Sequence, residues 1–440
     1  MNVFHISFLI ILPAIVAIGA YFVSPITPIL LIAAVIAYSI LFSMGKIKGN
    51  LIYLVVFSLS LGLVWQNTML GMDVVGSDIH TELYFAQRSL NQGWDVTYPE
   101  SSNSSIVIGL LIPMLSKLMQ IDVVWVMKLI LPVFLALVPV VLFASFKKLF
   151  DEQKAFYATL FFMIVPVFSL EIAQIAKSMV AELFLATMFW GLVCDWKWYW
   201  KLPVIGGSLV LQILCHYTVG IMGICFLLCV FGFKFVSYPI KAWRSGNTNI
   251  LVILVCLLIG MGTFYAYHSH AANGSAWRSI RDIGMRYLPL NGSSEATPSE
   301  SSTKVYYGSN PDIPIVETTV DTISSAKVFD ANFNNRPTLV QLGVGADFVE
   351  ANWDGKIFRI IQYLTQLMIL LGGIWLLWKY KVPNEYLGLV GGSLVLLAMC
   401  IFIAGVSGII NMSRFYHLSL FFIAPLFVLG CEFIGDIIKK

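Results

Sequence analysis

Apolar runs of roughly twenty residues recur along most of the chain, and that recurrence leaves few folds open to it. A helix crossing the hydrocarbon core of a bilayer needs about 20 mostly apolar residues. Runs of this kind occupy 6–22, 27–44, 50–67, 122–146, 155–170, 177–194, 202–216, 218–235, 248–267, 356–378, 385–409 and 414–435. A bilayer offers no water to backbone N–H and C=O groups, so such runs fold as helices. The expected fold is an all-α polytopic membrane protein of about 12 transmembrane helices. The pairs 155–170/177–194 and 202–216/218–235 contain short members and predict tight hairpins. Of the 440 residues, 58% are hydrophobic and 12% charged, against about 25% charged in soluble domains. Mean hydropathy is +0.84. A net charge of +3, with no basic tail, argues against a nucleic-acid partner. The seven cysteines (Cys194, Cys215, Cys225, Cys229, Cys256, Cys400, Cys431) lie in or beside apolar runs, which excludes a disulfide framework in the polar loops. The first run lacks the basic start and small-residue cleavage site of a removable signal peptide and is expected to persist as a span.

Lysine and arginine in short loops orient such a bundle. They recur at every second connection: Lys46 and Lys48; Lys147, Lys148 and Lys154; Lys197 and Lys201; Lys234, Lys241 and Arg244; Lys379 and Lys381; Lys439 and Lys440. The alternation predicts both termini in the cytoplasm, and the Trp196, Trp198, Tyr199, Trp200 cluster fits an interfacial aromatic belt. The chain then divides into N-terminal spans (1–67), a first outer loop (68–121), a central bundle (122–267), a large polar outer loop (268–355) and C-terminal spans (356–440). Within the large loop, SSEATPSESST at 293–303 is too polar to build a packed core.

The first outer loop carries the most specific pattern, GSDIHTELYFAQRSLNQGW at 76–94. Ser77 or Asp78 can cap a helix. Ile79, Leu83, Ala86 and Leu90 form one apolar stripe, and Gly93 is a stop, so the segment predicts an amphipathic helix on the membrane surface. Asp78 and Glu82, four apart, face the same side, and His80 points elsewhere on the wheel. Residues 105–121, apolar nearly all round with Pro113 inside, predict a second interfacial or re-entrant helix.

Further polar groups interrupt apolar sequence at the same face: Glu171 and Lys177, His216 and Tyr217, Arg414 and His417. Charges at or within a span are costly and tend to mark pathways or sites. Each also has a plainer reading. Asp78 is then a helix cap and Glu82 part of a solvated face. Glu171 and Lys177 are a loop ion pair, His216 a hydrogen-bonded helix-end histidine, and Arg414 an anchor to lipid headgroups. Glu182, just inside a span, fits helix packing better than chemistry.

At these residues the chain resembles the GT-C superfamily of membrane glycosyltransferases and, more narrowly, an archaeal family of multi-span membrane proteins carrying GSDIH-x-E-x-YFA. The resemblance implies a many-span bundle whose first long outer loop holds two juxtamembrane helices and an essential acidic residue, here Asp78. Glu171 roughly matches an acidic residue of the second outer loop. Beyond the superfamily's pattern, two extra spans precede the acidic loop and a WWDYG-like motif is missing, which implies transfer of a single sugar rather than of a whole oligosaccharide to asparagine. The implied enzyme moves a sugar from a polyprenyl-phosphate donor to a glycan, lipid or protein acceptor at the outer face of the cell membrane. Asp78 or Glu82 would take the acceptor proton, and Arg414, with Lys177 or His417, would bind the donor phosphate. The remaining candidates are Glu171, His80, His216 and Tyr217. A divalent ion (Mg or Mn) bridging Asp78, Glu82 and phosphate oxygens is the one cofactor considered. Two other classes fit the same charges. One is a lipid-linked sugar flippase or transporter. The other is a polysaccharide polymerase or ligase of the O-antigen type, to which Arg278, Arg281 and Arg286 would contribute.

Overall fold

The computed structural model describes residues 3–237, 248–275, 277–278, 353–402 and 412–439, and every regular element among them is helical. The chain opens with α1 (Val3–Tyr21), α2 (Ile26–Ser43) and α3 (Asn50–Thr68). Two shorter helices follow, α4 (Asp78–Gln92) and α5 (Val107–Met119), then the long α6 (Val123–Leu149). Next come α7 (Glu152–Ile164), α8 (Ala176–Val193), α9 (Trp198–Cys215), α10 (Tyr217–Ser237) and α11 (Thr248–His268). Beyond the residues left undescribed lie α12 (Trp353–Lys379), α13 (Asn384–Phe402) and α14 (Met412–Ile438). The helices predicted at 76–94 and 105–121 are thus present as α4 and α5. Arg281, Arg286 and the 293–303 stretch lie outside the described residues, and Arg278 is exposed.

Eight of the described helices are long and apolar enough to cross a membrane individually, or nine if a bent pair forms one span. The protein is therefore a polytopic membrane protein, and this count is smaller than the dozen runs read from the sequence. In the predicted 155–170/177–194 hairpin, α7 stops at Ile164 and the chain bends by 54° before continuing through Val167–Gln174. Pro166 sits at the break, where its ring and missing N–H prevent helical continuation. The second hairpin is as tight as expected, with His216 the single residue between α9 and α10. The run 385–409 is helical through Phe402, and 403–411 lie outside the described residues.

Burial ranks the helices. The α8 window is 72% buried, the α12 window 17%, so α8 forms the centre and α12 lies at the periphery with most of its apolar surface uncovered. Hydrophobic burial alone does not drive helices together in lipid, so close backbone approach and polar contacts matter more. The α12–α14 contact shows this. A Cβ added at Gly372 would lie 1.8 Å from the Leu426 carbonyl oxygen, and one at Gly430 would lie 2.0 Å from that of Met368. Only glycine permits that contact at both positions. Gly430→Ala is expected to lower thermal stability in detergent by about 1–3 kcal/mol, the usual cost of overpacking. Gly435→Ala, at a site with nothing within 4 Å, is the control and should leave the melting temperature unchanged.

The bundle ends differ in chemistry. At one end lysines meet carboxylates from other helix termini: Lys379 with Glu432 at 2.8 Å and Asp436 at 3.0 Å, Lys154 with Glu432 at 3.8 Å, and Lys234 with Glu385. The opposite end gathers α4, α5 and the adjoining ends of α3, α8, α9, α10 and α14.

Candidate functional site

The site is built on the segment that joins α3 to α4. Gly76 has φ +129, and a Cβ there would approach Gln174 within 2.6 Å, so glycine is required both for conformation and for contact. Ser77 occupies the N-cap position of α4 but makes no capping bond; its hydroxyl donates instead to Asp78 Oδ1 at 3.3 Å. Gly93 terminates α4 at φ 84, the stop expected from the sequence.

The buried face of α4 differs from the expected stripe. Ile79, Glu82, Phe85, Ala86 and Ser89 are buried, while Leu83 and Leu90 only flank the contact. The helix rests on protein, against α5 and the turns around it, and the surface it meets includes a helix N-terminus that attracts a carboxylate. Glu82 is 0% exposed rather than solvated. Its Oε2 accepts the Ala176 N–H at 2.6 Å, and its Oε1 lies 3.3 Å from Lys177 Nζ. The cap position of α8 is Ile175, which has no side-chain acceptor. Glu82 therefore caps α8 from another helix, satisfying an otherwise orphan N–H at the positive end of the dipole. Complete burial raises the Glu82 carboxyl above its ordinary range, against the opposing pull of Lys177 and the Ala176 N–H. Lys177 Nζ also donates to Ser102 Oγ at 3.2 Å.

Three side chains from the start of α14 reach three different elements. Ser413 donates to Glu171, Arg414 pairs with Asp78 at 2.8 Å, and His417 Nε2 lies 3.0 Å from Glu182 Oε2. This corrects several expectations. Glu171 and Lys177 do not pair with each other, because Ser413 and Glu82 engage them separately. Arg414 and His417 do not share one open face. The Arg414 and Asp78 side chains are 34% and 41% exposed, whereas His417 and Glu182 are at 0% and 1%. The His417 ring is enclosed by Phe162 at 5.0 Å, Phe421 at 5.7 Å and Phe168 at 6.1 Å. A bulky ligand can therefore reach Arg414 but not His417, and Lys177 is nearly covered.

His216 Nδ1 is 3.0 Å from Ser178 Oγ, with the Tyr217 ring at 5.8 Å. His80 is exposed on the far side of α4 from Glu82. Asp78 and Glu82 are engaged by Arg414 and Lys177, so a divalent ion bridging the pair would displace both partners. Ser102, Ser178, Ser413 and Gln174 join the site without a sequence signal of their own. Lys128 did carry one, as a lone charge inside an apolar run.

A family model described as "Predicted membrane protein (DUF2206)" matches residues 316–440, the part of the chain that holds α12 to α14 and hence Arg414 and His417. No curated protein and no solved structure matches the chain.

Proposed function

We propose that this protein is a membrane glycosyltransferase that moves a sugar from a polyprenyl-phosphate donor to an acceptor hydroxyl at the non-cytoplasmic face. The observation that carries this reading is the half-exposed Arg414–Asp78 pair at 2.8 Å, flanked by the more deeply buried Glu82–Lys177 ion pair and His417–Glu182 hydrogen bond. The guanidinium can exchange its carboxylate partner for phosphate oxygens in a bidentate fork. Donor binding then releases Asp78 to act as a base. The acceptor oxygen attacks the anomeric carbon, its proton passes to Asp78, and the bond between that carbon and the phosphate oxygen breaks. The leaving polyprenyl phosphate keeps the electron pair, and Arg414 stabilises the added charge. Glu82, sealed beneath, positions α4 against α8 rather than touching substrate. The flippase reading is weaker, because transporter sites usually lie near the bilayer midplane and these open charges sit at helix ends.

The proposed topology has twelve spans, both termini and the lysine-rich end in the cytoplasm, and Asp78 on the other side, in the cell membrane. In a cysteine-free background, a cysteine at Met72 should react with an impermeant thiol reagent applied to intact cells. A cysteine at Lys381 should react only after permeabilisation. The reverse pattern would put Asp78 on the cytoplasmic side and end the proposal as stated.

Arg414→Lys tests the phosphate role directly. Lysine keeps the charge but loses the fork. Binding of farnesyl phosphate in micelles is expected to weaken about ten- to a hundredfold, as for loss of a charge-assisted hydrogen bond. Undiminished binding would leave Arg414 as a partner of Asp78 alone.

A further inference from the structure

We propose that Lys128 is a positioning residue that sets Asp78 opposite Arg414 by clasping the end of α3 to α6; its catalytic consequence rests on the reading of Asp78 given above. Lys128 lies in an apolar span and is 1% exposed. Its ammonium donates to three backbone carbonyls of the α3–α4 segment: Leu70 at 3.0 Å, Gly71 at 2.9 Å, and Asp73. Three donors meet three acceptors, which is the full capacity of an ammonium.

The contact is reciprocal. Thr68 Oγ1, in the last turn of α3, donates to the Lys128 carbonyl at 3.1 Å, and Trp65 Nε1 donates to the Leu129 carbonyl at 3.3 Å. The geometry has a local cause on each side. Beyond the end of α3 the carbonyls of Leu70, Gly71 and Asp73 have no helical N–H to accept from, and buried backbone acceptors need a donor, which Lys128 supplies. Lys128 itself sits in a π turn, Val126–Ile130. Such a turn disturbs the regular hydrogen-bond register and tends to occur at functional sites.

Burying an ammonium costs several kcal/mol unless hydrogen bonds compensate. Simple packing of α3 on α6 would be served as well by leucine or methionine. What lysine adds is a fixed place for three carbonyls of one short segment. The far end of that segment is fixed independently, by the contact of Gly76 with Gln174. Residues 70–76 are thereby held at both ends, and Asp78 follows two residues later. With the segment held, the Asp78 carboxylate meets Arg414 across a separation of more than three hundred residues in sequence.

The test is Lys128→Met in the full-length protein, followed by amide hydrogen exchange in detergent. Amides of residues 66–70, at the end of α3 where the Met69 and Leu70 N–H groups bond Trp65 and Asn67, are expected to exchange at least about tenfold faster as that end frays, while those of α8 and α14 stay protected. Release of sugar from a polyprenyl-phosphate hexose should fall in kcat, with farnesyl phosphate binding retained because Arg414 is intact. Unchanged exchange at 66–70 overturns the clasp. Exchange that rises evenly through all helices also overturns it, because Lys128 would then serve the fold as a whole. Local loosening with normal kcat removes the positioning role. Absence of transfer in the wild-type protein would fail the glycosyltransferase reading, while the exchange result still decides the clasp. If Lys128→Met does not fold, Thr68→Val removes one bond of the same clasp without stranding a charge, and the same local pattern is expected on a smaller scale.

Discussion

Glu82→Ala is expected to destabilise the bundle by about 3–5 kcal/mol, the usual cost of removing one partner from a buried ion pair. The change leaves Lys177 without its carboxylate and the Ala176 N–H at the start of α8 without its acceptor. Because α8 is the most deeply buried of the candidate spans, the effect should appear as a lower melting temperature of the ligand-free protein in detergent. The pH dependence has a definite sign. Burial raises the Glu82 carboxyl above its ordinary 4.5, so the folded state holds that proton more tightly than the unfolded chain. The stability tied to protonation is then complete below about pH 4.5 and declines as pH rises through the folded value. Glu82→Gln should lack that decline. Parallel stability–pH curves for the wild type and Glu82→Gln would show that Glu82 does not titrate differently on folding.

Asp78→Asn is expected to slow sugar transfer by about 10²–10⁴-fold, the usual contribution of a general base. Folding should change little, because Asp78 is partly exposed and asparagine is equally suited to the start of a helix. Farnesyl phosphate should bind as well as before or better, because the carboxylate that competes for Arg414 is gone. A variant with slow turnover and intact phosphate binding separates Asp78 from Arg414 in function. Near-normal turnover would return Asp78 to the role of a helix-end residue paired with a surface arginine.

The two variants probe carboxylates four residues apart on one helix, and their expected outcomes diverge because of where α4 sits. The sequence presents Asp78 and Glu82 as equivalent members of an acidic pair. In the fold, Asp78 opens to solvent beside Arg414, and Glu82 is sealed over the N-terminus of α8. Rotation of α4 by a fraction of a turn from the stripe expected for a surface helix accounts for the difference.

What the sequence determined by itself was local. Runs of apolar residues specified helices, because an unpaired backbone is intolerable in lipid. Ser77, Asp78 and Gly93 bounded α4 within a residue or two, because helix ends are set by conformational preferences of single residues. Polar residues interrupting apolar runs marked the end of the bundle where Asp78, Glu82, Lys177 and Arg414 gather, because charges near a bilayer are costly wherever they occur. The tertiary structure decided the partners. Glu171 and Lys177, six residues apart, take Ser413 and Glu82 instead of each other, and His417 turns inward to Glu182 while Arg414, one turn away, faces Asp78. Lys128, a single charge in an apolar run, grips three carbonyls near the end of another helix. Hydropathy and periodicity extend over a few turns of one helix. The partner of a buried charge depends on which helix ends the packing brings within about 3 Å, and that is a property of the assembled bundle.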